Sequence, residues 1–336
     1  MPGTNAPLPA RLDLLRSCLR HGARQHNQRT HTGVRTLLHR RLSHECMFGL
    51  PLAGARKLHP KTAAAEVAWS LVGTEDVSFM SRHAPIWDKF AVDGRVPGAY
   101  GYRWRRAFGR DQLKAAVDTL MRDPSSRQVY VSTWDPSSDG LDPDSRALAP
   151  CPVGFTFQVI DGFLSAFVHM RSSDLAVGLP YDVMVYALLL DAVASETGYG
   201  RGALTLSLDH AHIYEPQAQA LEACRHRAQT SGCVPMPRWT LADVEADPDG
   251  YVARVKALGA EARRPCRWRP SARRPETTPA EDKGPHGRRI QHPLGRGRDD
   301  RRTRPAHPAR DPRRQRKRPP GAARRTAALS DRRHRR

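Results

Sequence analysis

Cys151, which lies between two prolines in "RALAPCPVGF", is a residue whose type and setting suggest chemistry. A cysteine that loses its proton is a strong nucleophile, whereas a cysteine at the edge of a sheet is often only a small buried hydrophobe. Two apolar runs follow it, residues 153–160 and 163–170, and the dipeptide Asp161-Gly162 separates them. An Asp-Gly pair between strand-like runs predicts a hairpin with a type I′ turn.

The predicted hairpin determines what surrounds Cys151. With the two turn residues unpaired, paired positions sum to 323, so Cys151 faces Ser172, has Arg171 as its diagonal neighbour and lies near Asp174. A nearby guanidinium lowers the pKa of a thiol and favours the reactive thiolate, and it could also hold a substrate phosphate. The alternative is a structural Arg171–Asp174 ion pair beside an unreactive cysteine.

Glu66 is a candidate for proton transfer. It lies in the apolar segment "AAAEVAW", where burial would raise the pKa of a carboxyl into a range useful for acid–base catalysis. The alternative is an ordinary helix residue that faces solvent, which the three preceding alanines do not exclude.

Helical and strand-like segments surround these residues, without an internal repeat. Apolar spacing predicts helices over 10–25, 62–73 and 111–122, and a long buried helix that begins just after Pro180. Besides the hairpin, strands are predicted within "RQVYVSTWDP", "ALTLSLDHAHIY" and residues 28–56. The chain is therefore predicted to be α+β, with a mostly non-local sheet.

Composition separates a nearly neutral body from a basic tail. The 336 residues carry a formal net charge of +21, but residues 263–336 hold 26 of the 55 Lys and Arg and 7 of the 34 Asp and Glu, which leaves 29 basic and 27 acidic residues in the first 262. No run of 18 apolar residues and no signal-peptide core is present, and the six cysteines are scattered without a CxxC pair. We therefore expect a body of one large domain or two small ones, no membrane span, no metal and a cytoplasmic location.

The tail, residues 263–336, is rich in Arg, Pro and Gly and poor in apolar residues. Such a composition predicts disorder, because too little apolar surface can be buried to offset chain entropy. A tail of this kind could bind nucleic acid non-specifically through phosphates. An amino-acid segment of this composition also results when GC-rich DNA is translated past a stop codon or out of frame. We favour such an incidental extension over a functional DNA-binding arm.

Seven segments, in order, resemble the thymidylate synthases and their pyrimidine-monophosphate hydroxymethylase relatives. They run from about Gln28 to Tyr214 and comprise "QRTHTG", "RKLHPKTAAAEVAWSLVGTED", "PIWDKF" with "GAYGYRWR", "DPSSRQVYVSTWDP", "ALAPC", "RSSDLAVGLPYD" and "DHAHIY". The resemblance implies a thymidylate-synthase-like α+β fold whose large mixed sheet is packed by helices and forms the interface of a homodimer. The expected organisation is an N-terminal helical segment over 1–28, a catalytic domain over 29–262 and the tail over 263–336.

The resemblance also implies roles. Cys151 would attack C6 of a pyrimidine, C5 would take the methylene of 5,10-methylenetetrahydrofolate, and Glu66 would transfer protons through ordered water. Trp87, lining the face where the C5 methylene forms, and Tyr100 would complete the catalytic group, although Trp87 taken alone is better explained as a core residue. The implied substrate-binding residues are Arg29, Arg171, Ser172 and the partner subunit's Arg127 for the 5′-phosphate, His212 and Tyr214 for the sugar hydroxyl, and Asp174 and Asp182.

The aspartate of "GLPYD", Asp182, stands where thymidylate synthases have an asparagine that reads uracil. Cytosine presents a bare N3 and an N4 amino group, and a carboxylate can accept from that amino group. A carboxyl here therefore favours a cytosine nucleotide and resembles the dCMP and CMP hydroxymethylases. The alternative is that Asp182 only stabilises the first turn of the long helix.

Three other departures bear on the reaction. Pro152 replaces the histidine that follows the nucleophile in thymidylate synthases, Gln128 replaces the second arginine of the partner-subunit pair, and their C-terminal closing peptide is not recognisable after "YVARVKALGAEARR". We expect a folate-dependent hydroxymethylase of CMP or dCMP. The alternatives are methylation of dUMP or dCMP, and a nucleic-acid-binding protein that acts through the basic tail.

Overall fold

A long apolar helix under a mixed sheet forms the centre of the protein in the computed structural model, which describes residues 7–28, 30–52, 58–141, 149–223 and 233–261. The helix, α6 (Gly178–Thr197), is apolar on all sides, and 14 of its 20 residues are buried. It has the length and hydropathy of a membrane span, but 78% of its most apolar stretch is buried inside the fold. An all-round apolar helix of this kind is the core helix of a protein with several packed layers.

The other elements are given in chain order. Before α6 come α1 (Pro7–His21), β1 (Ala23–Asn27), β2 (Thr32–Glu45), β3 (Leu50–Pro51), α2 (Pro60–Val72), α3 (Ser78–His83), α4 (Tyr100–Tyr102), α5 (Gln112–Arg122), β4 (Tyr130–Ser132), β5 (Pro152–Ile160), β6 (Phe163–Met170) and β7 (Ser173–Asp174). After it come β8 (Gly200–Tyr214), α7 (Glu215–Ala223), β9 (Cys233–Val234), α8 (Leu241–Ala246) and α9 (Pro248–Glu261). Short 3-10 turns cover 46–48 and 85–90, and a π-helical turn covers 103–107.

The main sheet has seven strands in the order β1-β2-β8-β6-β5-β4, with β7 beside β8. The β6–β8 and β7–β8 pairs are parallel and the others are antiparallel, so the sheet is mixed. One face of the sheet packs on α6, and α2 packs against both α6 and α9. The predicted α+β class, with a large mixed sheet packed by helices, is confirmed.

Along β6, the opposite face of the sheet is exposed among the residues that the structure describes. Along β6, Leu164, Ala166, Val168 and Met170 are buried, whereas Phe163 and Phe167 are 45% and 42% exposed. Tyr130 on the neighbouring edge strand is 51% exposed. The strict alternation gives the sheet one core face and one outer face that still carries aromatic side chains.

The predicted hairpin is present, and its turn has the expected geometry. Asp161 and Gly162 both have positive φ, 50° and 76°, as a type I′ turn requires. From Ile160 and Phe163 onward the paired positions sum to 323.

The predicted partner of Cys151 is wrong by one residue, because β5 contains a bulge. Val153 is an extra residue between the pairs that Pro152 and Gly154 make with β6, and its carbonyl accepts from the N–H groups of Thr133 (2.9 Å) and Trp134 (3.0 Å) on the other side. Cys151 consequently faces Arg171, whose N–H donates to the Cys151 carbonyl at 3.0 Å, and not Ser172.

Two predicted boundaries also differ. The helix predicted over 10–25 ends at His21, and residues 23–27 form a sheet strand instead, paired with β2. The long helix begins at Gly178, two residues before Pro180, because the first turn of a helix tolerates proline. The tail, residues 263–336, lies outside the described residues.

Candidate active site

Cys151 immediately precedes β5 and is partly buried. Its N–H donates to the Tyr100 hydroxyl at 3.4 Å, and the Tyr100 ring contacts Trp87 edge-on, with centroids 5.5 Å apart. Trp87 in turn packs against Trp69 of α2 at 5.5 Å. The structure therefore brings Cys151, Tyr100 and Trp87 together, although they come from separate parts of the chain.

Arg171 is bound to the backbone just before the cysteine. Its Nε donates to the Pro150 carbonyl at 2.8 Å and its Nη2 to the Ala149 carbonyl at 2.6 Å. The guanidinium also lies 5.7 Å from the centre of the Trp134 ring. These contacts fix the approach to Cys151, and the Nη1 amino group of Arg171 makes no hydrogen bond to the described residues.

Asp174 does not form the ion pair with Arg171 that was the structural alternative. Its Oδ1 accepts from the N–H groups of Ala176 (2.9 Å) and Val177 (3.1 Å), and its Oδ2 accepts from Gln217 at 2.8 Å. Asp174 therefore shapes the turn that leads into α6, a local role typical of aspartate. Ser172, between β6 and β7, is partly buried.

The end of β8 carries a row of rings. His212 contacts Tyr214 edge-on at 5.0 Å, and the Nδ1 atoms of His210 and His212 are 3.4 Å apart. The neighbouring Asp209 does not belong to this row, and its carboxylate is hydrogen-bonded to His169 Nε2 at 2.7 Å. Because side chains alternate along a strand, His210 shares a face with His212 and Tyr214, whereas Asp209 does not. Asp174 pairs with His212 in the parallel β7–β8 ladder, so this row adjoins the start of α6.

Glu66 lies on α2 and faces a cavity. Burial raises the pKa of its carboxyl to about 7. The nearby indole N–H of Trp87, a buried donor without a hydrogen-bond partner among the described residues, partly offsets that rise. Glu66 is thus a carboxyl that can hold or release a proton near neutral pH, as its apolar setting predicted.

Asp182, in the second turn of α6, faces the same cavity as Glu66. Burial raises the pKa of Asp182 well above its ordinary value, and the nearby charges of Glu66 and Asp174 raise it further. Because two carboxylates in one dry site repel each other, the pair retains a proton at a pH where either alone in water would be ionised.

The cavity that Glu66 and Asp182 share has a volume of about 720 Å³ and lies between α2, residues 83–90 and α6. Trp87, Phe90 and Tyr181 form flat apolar walls, and the lysines at the rim are Lys61 and Lys89. Such a cavity suits a flat, aromatic ligand with an anionic end.

Two predicted residues do not join this cluster. Arg127 is exposed just before the edge strand β4, toward the hairpin-turn end of β5 and away from Cys151, and its guanidinium makes no ion pair with the described residues. Arg29 lies outside the described residues.

Two buried groups near the site are not among the residues predicted from the sequence. Arg103 and Asp139 form a buried ion pair, with one contact at 2.9 Å, and line a cavity together with Tyr100. Tyr186 is a buried phenol on α6, four residues after Asp182. The spacing of four residues on a helix was a signal for the latter, because such residues share a face.

A comparison with known families gives one finding. The family model described as thymidylate synthase matches residues 10–248, about seven tenths of the chain. The matched range includes each of the residues that the structure brings together around Cys151.

Proposed function

Because this chain belongs to the thymidylate synthase family, we propose that it hydroxymethylates C5 of a cytidine monophosphate, CMP or dCMP. Membership makes it a one-carbon transferase that uses methylenetetrahydrofolate and a pyrimidine nucleotide. The proposed reaction consumes nucleotide, methylenetetrahydrofolate and water, and releases the 5-hydroxymethyl nucleotide and tetrahydrofolate.

The buried carboxyl of Asp182 carries the choice of base. It lies in the cavity beside Glu66, so it cannot be explained as a solvated residue at a helix start. The ionised carboxylate of Asp182 accepts a hydrogen bond from the N4 amino group of cytosine. Uracil has the O4 carbonyl at that position, so two hydrogen-bond acceptors would face each other. A site built around a hydrogen bond rejects the analogue that lacks it, because its own polar groups are then left unpaired.

Covalent catalysis begins at Cys151. Its thiolate forms a bond to C6 of the pyrimidine, and the displaced electron pair makes C5 nucleophilic. The Tyr100 hydroxyl, which accepts from the Cys151 N–H, and the Arg171 contacts to residues 149 and 150 hold the sulfur in position. Glu66 takes and returns protons near neutral pH, because burial brings its pKa to about 7.

The lining of the cavity supports folate binding there. Its aromatic walls match a flat pterin, and Lys61 and Lys89 at the rim match the carboxylates of the glutamate end. When bound, methylenetetrahydrofolate supplies the one-carbon unit. Trp87 would line the face on which C5 receives it. Loss of the C5 proton and departure of tetrahydrofolate would leave an exocyclic methylene on the base, to which water adds. Breaking of the Cys151–C6 bond would then return the thiolate and restore the C5–C6 double bond of the product.

Phosphate binding is proposed to involve two chains. Arg171, through Nη1, and Ser172 would bind the 5′-phosphate with Arg29, while His212 and Tyr214 would hold the sugar hydroxyl. Arg127 is turned away from its own Cys151, which supports a contribution to the partner's site. The outer sheet face with Tyr130, Phe163 and Phe167 is the surface proposed to pair in the homodimer, since exposed aromatic patches mark interaction sites.

To test the proposed reaction, the full chain is incubated with methylenetetrahydrofolate and, in separate reactions, CMP, dCMP or dUMP. Mass spectrometry then measures the mass of the nucleotide product. We expect a cytosine nucleotide to gain CH2O, with tetrahydrofolate as coproduct and no product from a Cys151→Ala variant. A gain of CH2 with dihydrofolate would instead identify a methylating enzyme. No product from a folded protein would refute the proposed reaction.

A further inference from the structure

Tyr186 carries a buried hydroxyl that nothing in the described protein satisfies. The residue lies in α6 and is only 3% exposed. Its hydroxyl has no hydrogen-bond partner among the described residues. Buried polar groups are nearly always bonded, so an orphaned one calls for an explanation.

The surroundings of this hydroxyl are the acids of the site. Tyr186 follows Asp182 by one helical turn and interacts electrostatically with it most strongly, then with Tyr100, Glu66 and Cys151. Each of these four groups is assigned a part in the reaction proposed above. The orphaned hydroxyl therefore belongs to the chemistry of the site and not to a distant part of the core.

The ring of Tyr186 is held in place by its neighbours. Trp104 lies 6.3 Å and Phe155 5.6 Å from it, centroid to centroid. A phenol clamped in this way cannot swing out to reach solvent. A phenylalanine would fill the same space without an unsatisfied polar atom, so packing alone does not account for the hydroxyl.

We propose that Tyr186 is a positioning residue whose O–H donates a hydrogen bond to a bound water shared with Asp182, and so orients the carboxyl that reads cytosine. The inference rests on the proposed function. Because the Tyr186 ring is fixed, its hydroxyl and the shared water would hold one carboxylate oxygen of Asp182 in place. The other carboxylate oxygen would then point toward the N4 amino group of cytosine. Discrimination between cytosine and uracil would then depend on both residues.

The test is Tyr186→Phe, assayed for kcat/KM with cytosine and uracil nucleotides across pH. We expect kcat/KM for the cytosine nucleotide to fall about tenfold with a smaller effect on any uracil nucleotide turnover. A donor that acts on the ionised carboxyl through the shared water lowers the pKa of Asp182, so its removal adds to the rise that burial and the charges of Glu66 and Asp174 already cause. The other titratable groups near Tyr186, Tyr100 and Cys151, are unchanged by the substitution. The acidic limb of the profile therefore moves to higher pH.

Tyr251→Phe is the matched control. Tyr251 is also buried, and its hydroxyl likewise has no hydrogen-bond partner in the described part of the chain, but it lies on α9 with its ring 5.7 Å from that of Trp239. We expect this variant to keep the wild-type profile. If both variants change Tm alike and neither moves the pH limb, Tyr186 is only structural and the inference is wrong.

A double variant separates this inference from the proposed function. In an Asp182→Asn background, Tyr186→Phe should have little further effect on nucleotide binding measured by calorimetry without folate. An undiminished effect would contradict action through Asp182. If the wild type instead methylates dUMP, the proposed function fails, whereas a wild-type reaction as proposed with an unaltered Tyr186→Phe profile overturns the Tyr186 inference alone.

Discussion

At the scale of single residues, Glu66 makes stability depend on pH. Its carboxyl pKa is raised from 4.5 to about 7, so between these values the folded protein binds a proton that the unfolded chain has lost. Stability from this group is therefore complete below about pH 4.5 and is lost as pH rises through 7, by up to about 3 kcal/mol.

Glu66→Gln removes this titration, because the amide cannot ionise. In urea denaturation from pH 5 to pH 8, we expect the wild type to lose stability relative to the variant as pH rises. Parallel pH dependences of the two proteins would show that Glu66 titrates normally. The slope with pH is compared and not the absolute stability, since the amide also alters hydrogen bonds.

Asp182 is the residue at which substrate choice should change. In Asp182→Asn the side chain offers uracil one acceptor and one donor, and it no longer presents the carboxylate that accepts from the cytosine amino group. We expect the ratio of kcat/KM for cytosine over uracil nucleotides to fall on the order of 100-fold. Competition assays with paired nucleotides measure this ratio directly, and an unchanged ratio would remove Asp182 from base recognition.

At the scale of elements, the buried Arg103–Asp139 ion pair holds the loop after β4 against the π-helical turn that follows Tyr100. Asp139 also accepts from the Asp135 N–H at 2.8 Å, and Arg103 donates to the Thr133 carbonyl at 3.0 Å. Asp139→Ala would leave a buried guanidinium without its counter-charge, which costs about 3–5 kcal/mol.

Urea denaturation measures the loss of stability in Asp139→Ala, and two further changes serve as controls. Asp118→Ala breaks the exposed Lys114–Asp118 pair of α5 and should cost less than about 1 kcal/mol. Replacing both members of the buried pair by apolar residues, Arg103→Met with Asp139→Leu, should restore most of the stability. A single Asp139→Ala variant as stable as the wild type would mean that this ion pair does not hold the loop.

At the scale of the whole molecule, a shared active site predicts complementation. If Arg127 serves the partner's phosphate site, Arg127→Ala and Cys151→Ala homodimers are each impaired, but a hybrid has one site with both groups intact. Equal mixing after subunit exchange should restore about a quarter of wild-type activity, because half of the dimers are hybrids with one good site. No recovery despite proven exchange would place Arg127 in its own chain's site or in none.

The outer sheet face gives an independent test of assembly. Phe167 lies in a cross-strand row with Thr156 and Thr205, at the middle of that face. Phe167→Lys puts a charge into the proposed interface and should shift the protein from dimer to monomer in sedimentation, with loss of activity. A wild-type protein that sediments as a 37.5 kDa monomer would rule out the dimer.

Local chemistry was enough for the features that depend on neighbours in sequence. The Asp161-Gly162 turn followed from the two residue types that tolerate positive φ, and the apolar segment around Glu66 predicted a helix. The order of the motifs identified the family, and with it the α+β fold. These properties depend on short stretches of chain, so sequence alone determined them.

Only the tertiary structure decided which groups meet. Val153 bulges where its carbonyl accepts from the N–H groups of Thr133 and Trp134, just after β4. That distant contact is not visible in the hairpin's own sequence, and the bulge changes the partner of Cys151 from Ser172 to Arg171. Glu66 and Asp182 are 116 positions apart, and only the packing of α2 on α6 brings both carboxyls into one cavity. Their raised pKa values come from shared burial, which no spacing along the chain specifies.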